Sequence, residues 1–480
     1  MFYIWTATNG TYSFNFHNVP YRQYNLLADS FFRGRLDLPV KVPAGLLALP
    51  NPYDPTANRE YRWKGFHDVS LYKGKIYFYF GPTPVVTLYM PYRFLTKLAM
   101  PDNFASMFFM YGVFIWGALL LFHLKNKYFQ QLPEWILLTA ISVLAFANIG
   151  PFLSRNPAIY EIAVSSACFF LTGAVYFLCK AVSSEETNLK MLKIGSLFLG
   201  LATGGRFYFL IASILLILLI FLEKSKTNFN IGNIFKTNFG KSLILPFLIC
   251  LLILFAYNYV RFDNIFENGN KYQVTSFNAK FFSLASIVPN LYSYFLQPPT
   301  ISSTFPFIYA NHWRPPFMLS EGLERIIGLP LGVPFLLLLF FAPVIFLIFR
   351  FRNIKSGFKN NVTFPGLEFK IIFLAAAVNL LSVIGFQYVT MRYLGDFLTL
   401  LILSTCIIWF YFDSMLIDKT SGKLIFRSIV VILSAVSIIF GTAFSITGHI
   451  FGLKHLNPTE YQKLELFFMP VSKLLSKIIS

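Results

Sequence analysis

Residues 104–124, FASMFFMYGVFIWGALLLFHL, contain no Asp, Glu, Lys or Arg. A helix rises 1.5 Å per residue, so about 20 such residues cross the hydrocarbon core of a bilayer. Nine further apolar runs follow, of which 191–204 and 206–222 form a short pair. The sequence therefore predicts an all-α polytopic membrane protein with about ten transmembrane helices. The further runs are 135–153, 160–182, 191–204, 206–222, 242–258, 326–349, 370–387, 394–413 and 427–447.

Composition agrees with this fold class. Of 480 residues, 56% are hydrophobic and only 13% are charged, whereas soluble domains carry about 25% charged residues. The formal charge is +19, but the basic residues lie mostly in short loops between the apolar runs. This pattern indicates cytoplasmic loops and excludes nucleic acid as the expected partner. Part of the positive charge is suited to anionic membrane lipid or to a phosphate-bearing substrate.

The basic loops predict the topology. With ten spans, five Lys/Arg-rich loops fall on one side, which we expect to be the cytoplasm. The outer side then holds a polar and aromatic domain (1–103), a loop (259–325) and an amphipathic, interfacial tail (448–480), beside membrane blocks 104–258 and 326–447. Because no apolar run precedes residues 1–103, we expect that a first helix is missing and that Met1 is an internal methionine. The five loops are 125–134, 183–193, 223–241, 350–370 and 414–427.

Two features of the apolar runs concern their path through the membrane and their cysteines. The short pair is broken at Gly204-Gly205-Arg206, so we count it as two short spans, although it could instead form one long kinked helix or a re-entrant hairpin. All four cysteines lie in apolar runs without metal-ligand spacing, and we expect neither a disulfide nor a metal site. The cysteines are Cys168, Cys179, Cys250 and Cys406.

The polar block 17–93 contains the first candidate site residues. Asp29 is either a site carboxylate or a helix residue paired with Arg33 one turn later. His67 and Asp68 either bind and activate a polar acceptor or stabilise a turn. Lys73 and the glycine after it predict a hairpin turn between short strands.

The predicted outer ends of the apolar runs supply the other candidates. Glu161 either faces inward or pairs with Arg155 at a helix start. Arg206 fits a clamp for phosphate oxygens, or it extends its charge toward the membrane surface. Arg392 either binds an anion or pairs with Asp396. The loop 259–325 is either a lid over this site or an ordinary surface loop.

Five motifs together resemble the GT-C class of integral-membrane glycosyltransferases, especially bacterial relatives of protein O-mannosyltransferases and of the lipid A aminoarabinose transferase. Their order and their shared predicted side carry the resemblance, which spans most of the chain. The motifs are YNLLADSFFRG (24–34), YKGKIYFYFGPTP (72–84), NPAIYE (156–161), GLATGGR (200–206) and MRYLGD (391–396).

The resemblance implies a GT-C-like bundle in the cytoplasmic membrane of a bacterium, with its active face outward. The expected donor is a sugar on a polyprenyl phosphate, the acceptor is an unknown glycan, lipid or protein, and no cofactor is expected. Glu161 matches the family's second acidic position, and Arg206 and Arg392 match its phosphate-binding positions.

The first acidic position of the family is occupied here by Val19-Pro20, just before Tyr21. Asp29 or Asp68 is therefore expected to act as the base. His67, Lys73 and Tyr393 are expected to contact the acceptor or to support the site.

Two other functions stay open at this point. A transporter or flippase for a lipid-linked glycan is expected to carry charges near the bilayer midplane and a repeat between its halves. The chain shows neither pattern clearly, which favours the enzyme. A non-catalytic membrane protein of the same fold is the third alternative.

Overall fold

A computed structural model describes residues 1–224, 235–275, 282–311, 324–347, 363–416, 421–448 and 452–479. Its N-terminal part contains three helices, a β-hairpin and short helical turns. The hairpin pairs Leu71 with Ile76 across an antiparallel ladder. Lys73 and Gly74 both have positive φ, as a two-residue turn of type I′ requires, so the predicted hairpin is confirmed. The elements are α1 (Phe2–Ala7), α2 (Gln23–Phe32), β1 (Ser70–Tyr72), β2 (Lys75–Tyr77) and α3 (Met90–Thr96).

Long helices make up most of the rest of the chain. Short helical turns precede and separate them, and one further hairpin, β3–β4, pairs antiparallel. The elements are α4 (Asp102–Tyr128), α5 (Glu134–Phe146), α6 (Gly150–Arg155), α7 (Ile159–Val182), α8 (Leu189–Gly205), α9 (Phe209–Lys224), α10 (Asn238–Phe262), β3 (Thr300–Ile301), β4 (Ile308–Tyr309), α11 (Gly366–Ile384), α12 (Leu398–Met415), α13 (Ser421–Thr447), α14 (Pro458–Phe467) and α15 (Met469–Ile479). The short turns are Ala44–Leu47, Arg59–Tyr61, Arg62–Phe66, Val85–Tyr89, Asn270–Tyr272, Leu284–Ser286, Ile287–Leu291, Tyr292–Leu296, Leu329–Gly332, Pro334–Leu336, Leu337–Phe340, Met391–Asp396 and Leu453–Leu456.

Six helices in the described ranges are long and apolar enough to cross a membrane: α4, α7, α10, α11, α12 and α13. The structure thus fits an all-α, multi-pass membrane protein. The expected number of about ten spans is not confirmed in the described part of the chain. Helix α5 is apolar but only 13 residues long, and the described part of the predicted span 326–349 is divided into short turns. Pro330 and Pro334 explain that division, because proline removes a helical N–H donor and clashes with the preceding turn.

Helices α8 and α9 form a hairpin. The hydroxyl oxygens of Thr203 and Ser213 lie 3.3 Å apart. In one continuous helix, ten residues would separate them by about 15 Å. The chain therefore reverses direction between Arg206 and Tyr208, and the alternative of a single kinked helix is wrong.

Helix α7 lies in the centre of the bundle and is buried along most of its length. It runs parallel to α4, because Ser106 contacts Ser165 near one end (3.0 Å) and His123 contacts Ser183 near the other (3.1 Å). All four cysteines are free, and three of them are buried in this core.

The two ends of the bundle differ in character. At one end, Glu368 at the start of α11 accepts hydrogen bonds from Tyr128 and Ser183, and Lys370 pairs with Glu223 of α9 at 2.6 Å. The ends of α4, α7 and α9 and the start of α11 therefore lie together there. We call this the basic end, since the loops that leave it are rich in lysine. The opposite end, where α7 begins, is called the cavity end.

The C-terminal tail folds back onto the chain. Tyr461 in α14 donates a hydrogen bond to the carbonyl of Phe305 (2.6 Å), and Asn457 donates to the carbonyl of Asn9 (2.8 Å). Helix α15 exposes Leu474 and Ile478. The predicted helical, amphipathic tail is therefore present, although it divides at Phe468. Its interfacial position stays a prediction.

Gly441 in α13 allows close packing against α5. A Cβ atom at this position would lie 2.1 Å from the carbonyl oxygen of Phe146. We expect Gly441→Ala to destabilise the protein by about 1–3 kcal/mol through overpacking, measured as a lower Tm of the purified protein in detergent. Gly366→Ala is the control, since a Cβ at Gly366 meets nothing within 4 Å. Equal Tm values for the two variants would contradict this packing.

Candidate functional site

A cavity of about 410 Å³ lies at the cavity end of the bundle. Four parts of the chain that are distant in sequence line it: the polar block around His67 and Asp68, the α8–α9 turn at Arg206, the end of α10, and the short turn Met391–Asp396. His67 and Asp68 of the polar block therefore lie at one cavity with Arg206, Arg392 and Tyr393 of the apolar runs. The cavity has apolar walls as well, formed in part by Phe207, Leu254 and Phe386.

Glycines hold the polar block against the α8–α9 turn. A Cβ at Gly81 would lie 1.8 Å from the carbonyl oxygen of Gly204, and a Cβ at Gly204 would lie 2.5 Å from the hydroxyl of Thr83. That hydroxyl donates a hydrogen bond to the carbonyl of Leu201 at 2.8 Å. Only glycine permits this approach of two backbones, so the GPTP and ATGG segments of the sequence are complementary surfaces.

Arg206 is buried beside the reversal and is held by three groups. Its Nη2 lies 3.3 Å from Oδ2 of Asp396, and its guanidinium lies against the rings of Tyr208 (4.8 Å) and Tyr393 (5.2 Å). The Tyr208 hydroxyl donates to the same carboxylate oxygen. The other oxygen, Oδ1 of Asp396, is buried and has no hydrogen-bond partner among the described residues. The Arg392–Asp396 pair considered from the sequence is therefore wrong, because Arg206 occupies that carboxylate.

Arg392 contacts two carboxylates instead. It lies 3.5 Å from Glu161 and 2.9 Å from Glu324, with the ring of Tyr160 4.5 Å from its guanidinium. Glu161 also accepts the N–H of Ala158 at 2.9 Å, which caps the start of α7.

The alternative that paired Glu161 with Arg155 is wrong. Arg155 instead donates to Asn9 (3.1 Å) and to the carbonyl of Ser445. It is almost fully buried, and it ties the start of α7 to the N-terminal segment and to α13.

Arg261 also lines this cavity, although the sequence patterns did not predict it as a candidate. It lies in the last turn of α10 and is buried. Its donors reach the carbonyl of Phe78 (2.7 Å) and the side chain of Asn258 (2.9 Å), and its guanidinium lies 3.7 Å from the Tyr257 ring centre. Within the described ranges it forms no ion pair with a carboxylate. Its position in the sequence could have predicted it. An arginine at the end of an apolar run has a high desolvation cost unless its side chain faces protein or water.

Asp68 and His67 form a contact pair at the cavity wall. Nδ1 of His67 lies 2.9 Å from Oδ2 of Asp68, and the backbone N–H of Asp68 donates to the Thr275 hydroxyl at 2.8 Å. The hydrogen bond to Asp68 raises the pKa of His67 above its ordinary value, partial burial opposes the shift, and the Asp68 charge reinforces it.

A second cavity of about 370 Å³ adjoins the first. The two share the side chains of His67, Asp68, Tyr160 and Arg392, and the second is lined in addition by Glu161. These shared residues therefore form a boundary that a group in either cavity can contact.

The structure separates the predicted site residues into two sets. Asp29 does not line either cavity; its carboxylate lies 3.2 Å from Nε of Arg93, so the alternative that paired it with Arg33 is wrong. Lys73 pairs with Asp263 on the exposed hairpin turn, also outside both cavities. The remaining predicted residues line or adjoin the cavities: His67, Asp68, Glu161, Arg206, Arg392 and Tyr393.

No family model, no curated protein and no solved structure matches this chain. The candidate function therefore depends on the geometry of the site and on the motif resemblance.

The His67–Asp68 contact predicts a measurable titration. Because the folded pKa of His67 is raised, the pair stabilises the folded protein at acidic pH, and its contribution is lost as the pH rises through that pKa. We expect Asp68→Asn to lower the pKa of His67 toward about 6.5, followed by NMR of histidine-labelled protein. Asp54→Asn is the control and should leave the titration unchanged. An unchanged His67 midpoint in Asp68→Asn would refute the contact.

Proposed function

We propose that this protein is a membrane glycosyltransferase that moves a sugar from a polyprenyl-phosphate carrier to an acceptor. The proposed location is the outer face of the cytoplasmic membrane of a bacterium. One observation supports the proposal above the others: a single cavity combines a carboxylate at its boundary, Asp68, with a buried arginine, Arg261, that forms no ion pair with a carboxylate in the described part of the chain.

The two sides of the cavity suit the two halves of the reaction. Arg206 and Arg261 lie beside the apolar wall that includes Leu254 and Phe386, which fits a phosphate with a hydrocarbon chain attached. Guanidinium groups bind phosphate oxygens through paired hydrogen bonds. Asp68 lies at the boundary with the second cavity, where an acceptor hydroxyl or amine would enter.

The ion pairs of the arginines change the roles that the motif resemblance implied for them. Arg392 contacts both Glu161 and Glu324, so two negative charges surround its one positive charge, whereas Arg206 has a single carboxylate partner, Asp396. We therefore assign Arg392 and Glu161 to positioning of the boundary, and Arg261 together with Arg206 to the donor phosphate.

In the proposed step, the acceptor oxygen or nitrogen attacks the anomeric carbon of the sugar. A new glycosidic bond forms while the bond between that carbon and the phosphate oxygen breaks, with inversion. Asp68 takes the acceptor proton, and the polyprenyl phosphate leaves with the electron pair. Arg206 and Arg261 stabilise the charge that develops on the leaving phosphate.

Substitutions in and outside the cavity test this assignment. We expect Asp68→Asn to reduce sugar transfer by about 10²–10⁴-fold, as loss of a general base does. The assay follows release of polyprenyl phosphate in membranes supplied separately with polyprenyl-phosphate mannose, glucose and aminoarabinose. Arg261→Gln should instead weaken binding of undecaprenyl phosphate to the purified protein, measured by native mass spectrometry.

Two matched controls lie outside the cavities. Asp29→Asn and Lys73→Gln remove charges of the same types and should retain at least half of the wild-type rate. Folding of every variant is checked by its Tm. Wild-type rates in Asp68→Asn with normal folding would contradict the assigned base, and undiminished lipid binding in Arg261→Gln would contradict the phosphate site.

A further inference from the structure

A separate pocket of about 420 Å³ lies at the basic end, between α4 and α7. Its polar lining consists of His123, Asn126, Lys127, Tyr176 and Lys180. Tyr160 and Lys180 are 20 residues apart on α7, so the pocket is about 30 Å from the catalytic cavity. It belongs to neither cavity of the proposed transferase site.

The side chains that line this pocket carry a positive charge. No Asp or Glu is among its lining residues, and in the ranges that the structure describes neither Lys127 nor Lys180 forms an ion pair. Both lysines are exposed. The ring of Tyr128 lies 4.7 Å from the Lys127 ammonium, and that of Tyr176 lies 5.7 Å from the Lys180 ammonium.

The buried carboxylate of Glu368 is connected to the pocket through Ser183 and His123. Glu368 accepts hydrogen bonds from Ser183 (2.8 Å) and from Tyr128. Since the Ser183 proton can satisfy Glu368, the Ser183 oxygen is left to accept Nε2–H of His123, 3.1 Å away. This chain of contacts fixes His123 in the wall and holds the Glu368 carboxylate, which forms no ion pair with either lysine in the described ranges.

An apolar stripe on α4 leads directly into the pocket. Its members recur at intervals of three or four residues, which places them on one helix face. All are exposed, and α4 is one of the six helices that are apolar enough to cross a membrane. The last two, Leu119 and Phe122, also line the pocket. The stripe consists of Phe108, Tyr111, Ile115, Leu119 and Phe122.

We propose that this pocket binds the headgroup of an anionic phospholipid, with an acyl chain along the α4 stripe. Lys127 and Lys180 provide two ammonium groups for the phosphate, and Asn126 provides amide donors for a polar headgroup. The basic charge and the adjoining apolar face are complementary to the two parts of this one ligand. A soluble anion would contact the lysines but not the apolar stripe.

Native mass spectrometry of the full chain tests the proposal with phosphatidylglycerol as the probe. The variant Lys127→Gln/Lys180→Gln should lose retained phosphatidylglycerol by at least fivefold. The matched control Lys190→Gln/Lys193→Gln removes two exposed lysines near the same end, outside the pocket, and should retain the lipid. Phosphatidylcholine, which has no net charge, should bind more weakly to the wild-type protein.

Three results would overturn the lipid site. The first is equal phosphatidylglycerol retention in the pocket variant and in the control. The second is equal binding of phosphatidylcholine. The third is displacement of the lipid by millimolar glycerol phosphate, which would indicate an anion site that does not use the stripe. Because the assay measures lipid retention and not sugar transfer, its outcome is independent of the proposed enzymatic activity.

Discussion

The buried ion pair between Arg206 and Asp396 is the constraint on which the cavity end depends. Isolated charges are expensive to bury, and removal of one partner from a buried pair typically costs about 3–5 kcal/mol. Here the pair joins the α8–α9 reversal to the turn that precedes α12, two points 190 residues apart in the chain. The reversal in turn presents the carbonyl of Gly204 to Gly81, which holds the N-terminal polar block over the membrane helices. The wall of the cavity therefore follows from one electrostatic contact and one close backbone approach.

Three arginines at the cavity end are stabilised by the same kind of contact. Arg206, Arg261 and Arg392 each lie against tyrosine rings, which favour the cation without neutralising it. They differ in the groups at the guanidinium edge: one carboxylate for Arg206, two for Arg392, and uncharged acceptors for Arg261. This difference makes Arg261 the arginine best suited to an incoming anion. Because carboxylates compensate the charges of Arg206 and Arg392, we expect an anion to bind mainly on the side of the cavity that Arg261 lines.

Six of the ten predicted spans correspond to long apolar helices in the described ranges, because membrane spans are specified locally by length and apolarity. The break at Gly204-Gly205-Arg206 was also predicted, since glycines beside an arginine interrupt an apolar run. The ion-pair partners of the charged residues were not predicted. Local spacing suggested Asp29 with Arg33 and Arg392 with Asp396, whereas the structure pairs Asp29 with Arg93 and Asp396 with Arg206. Tertiary contacts over 64 and 190 residues decide these pairings, and no local pattern contains them.

The proposed transferase site and the proposed lipid site both bind a phosphate group. The two ends of the bundle present different side chains to that phosphate. At the cavity end, Arg206 and Arg261 are buried against tyrosine rings, so a phosphate there would be held in a fixed geometry. At the basic end, Lys127 and Lys180 are exposed and hydrated, so each contributes about 1 kcal/mol of attraction to an anionic surface. The first arrangement suits selective binding of one group for chemistry. The second suits exchangeable lipid, whose chains must supply much of the binding free energy along α4.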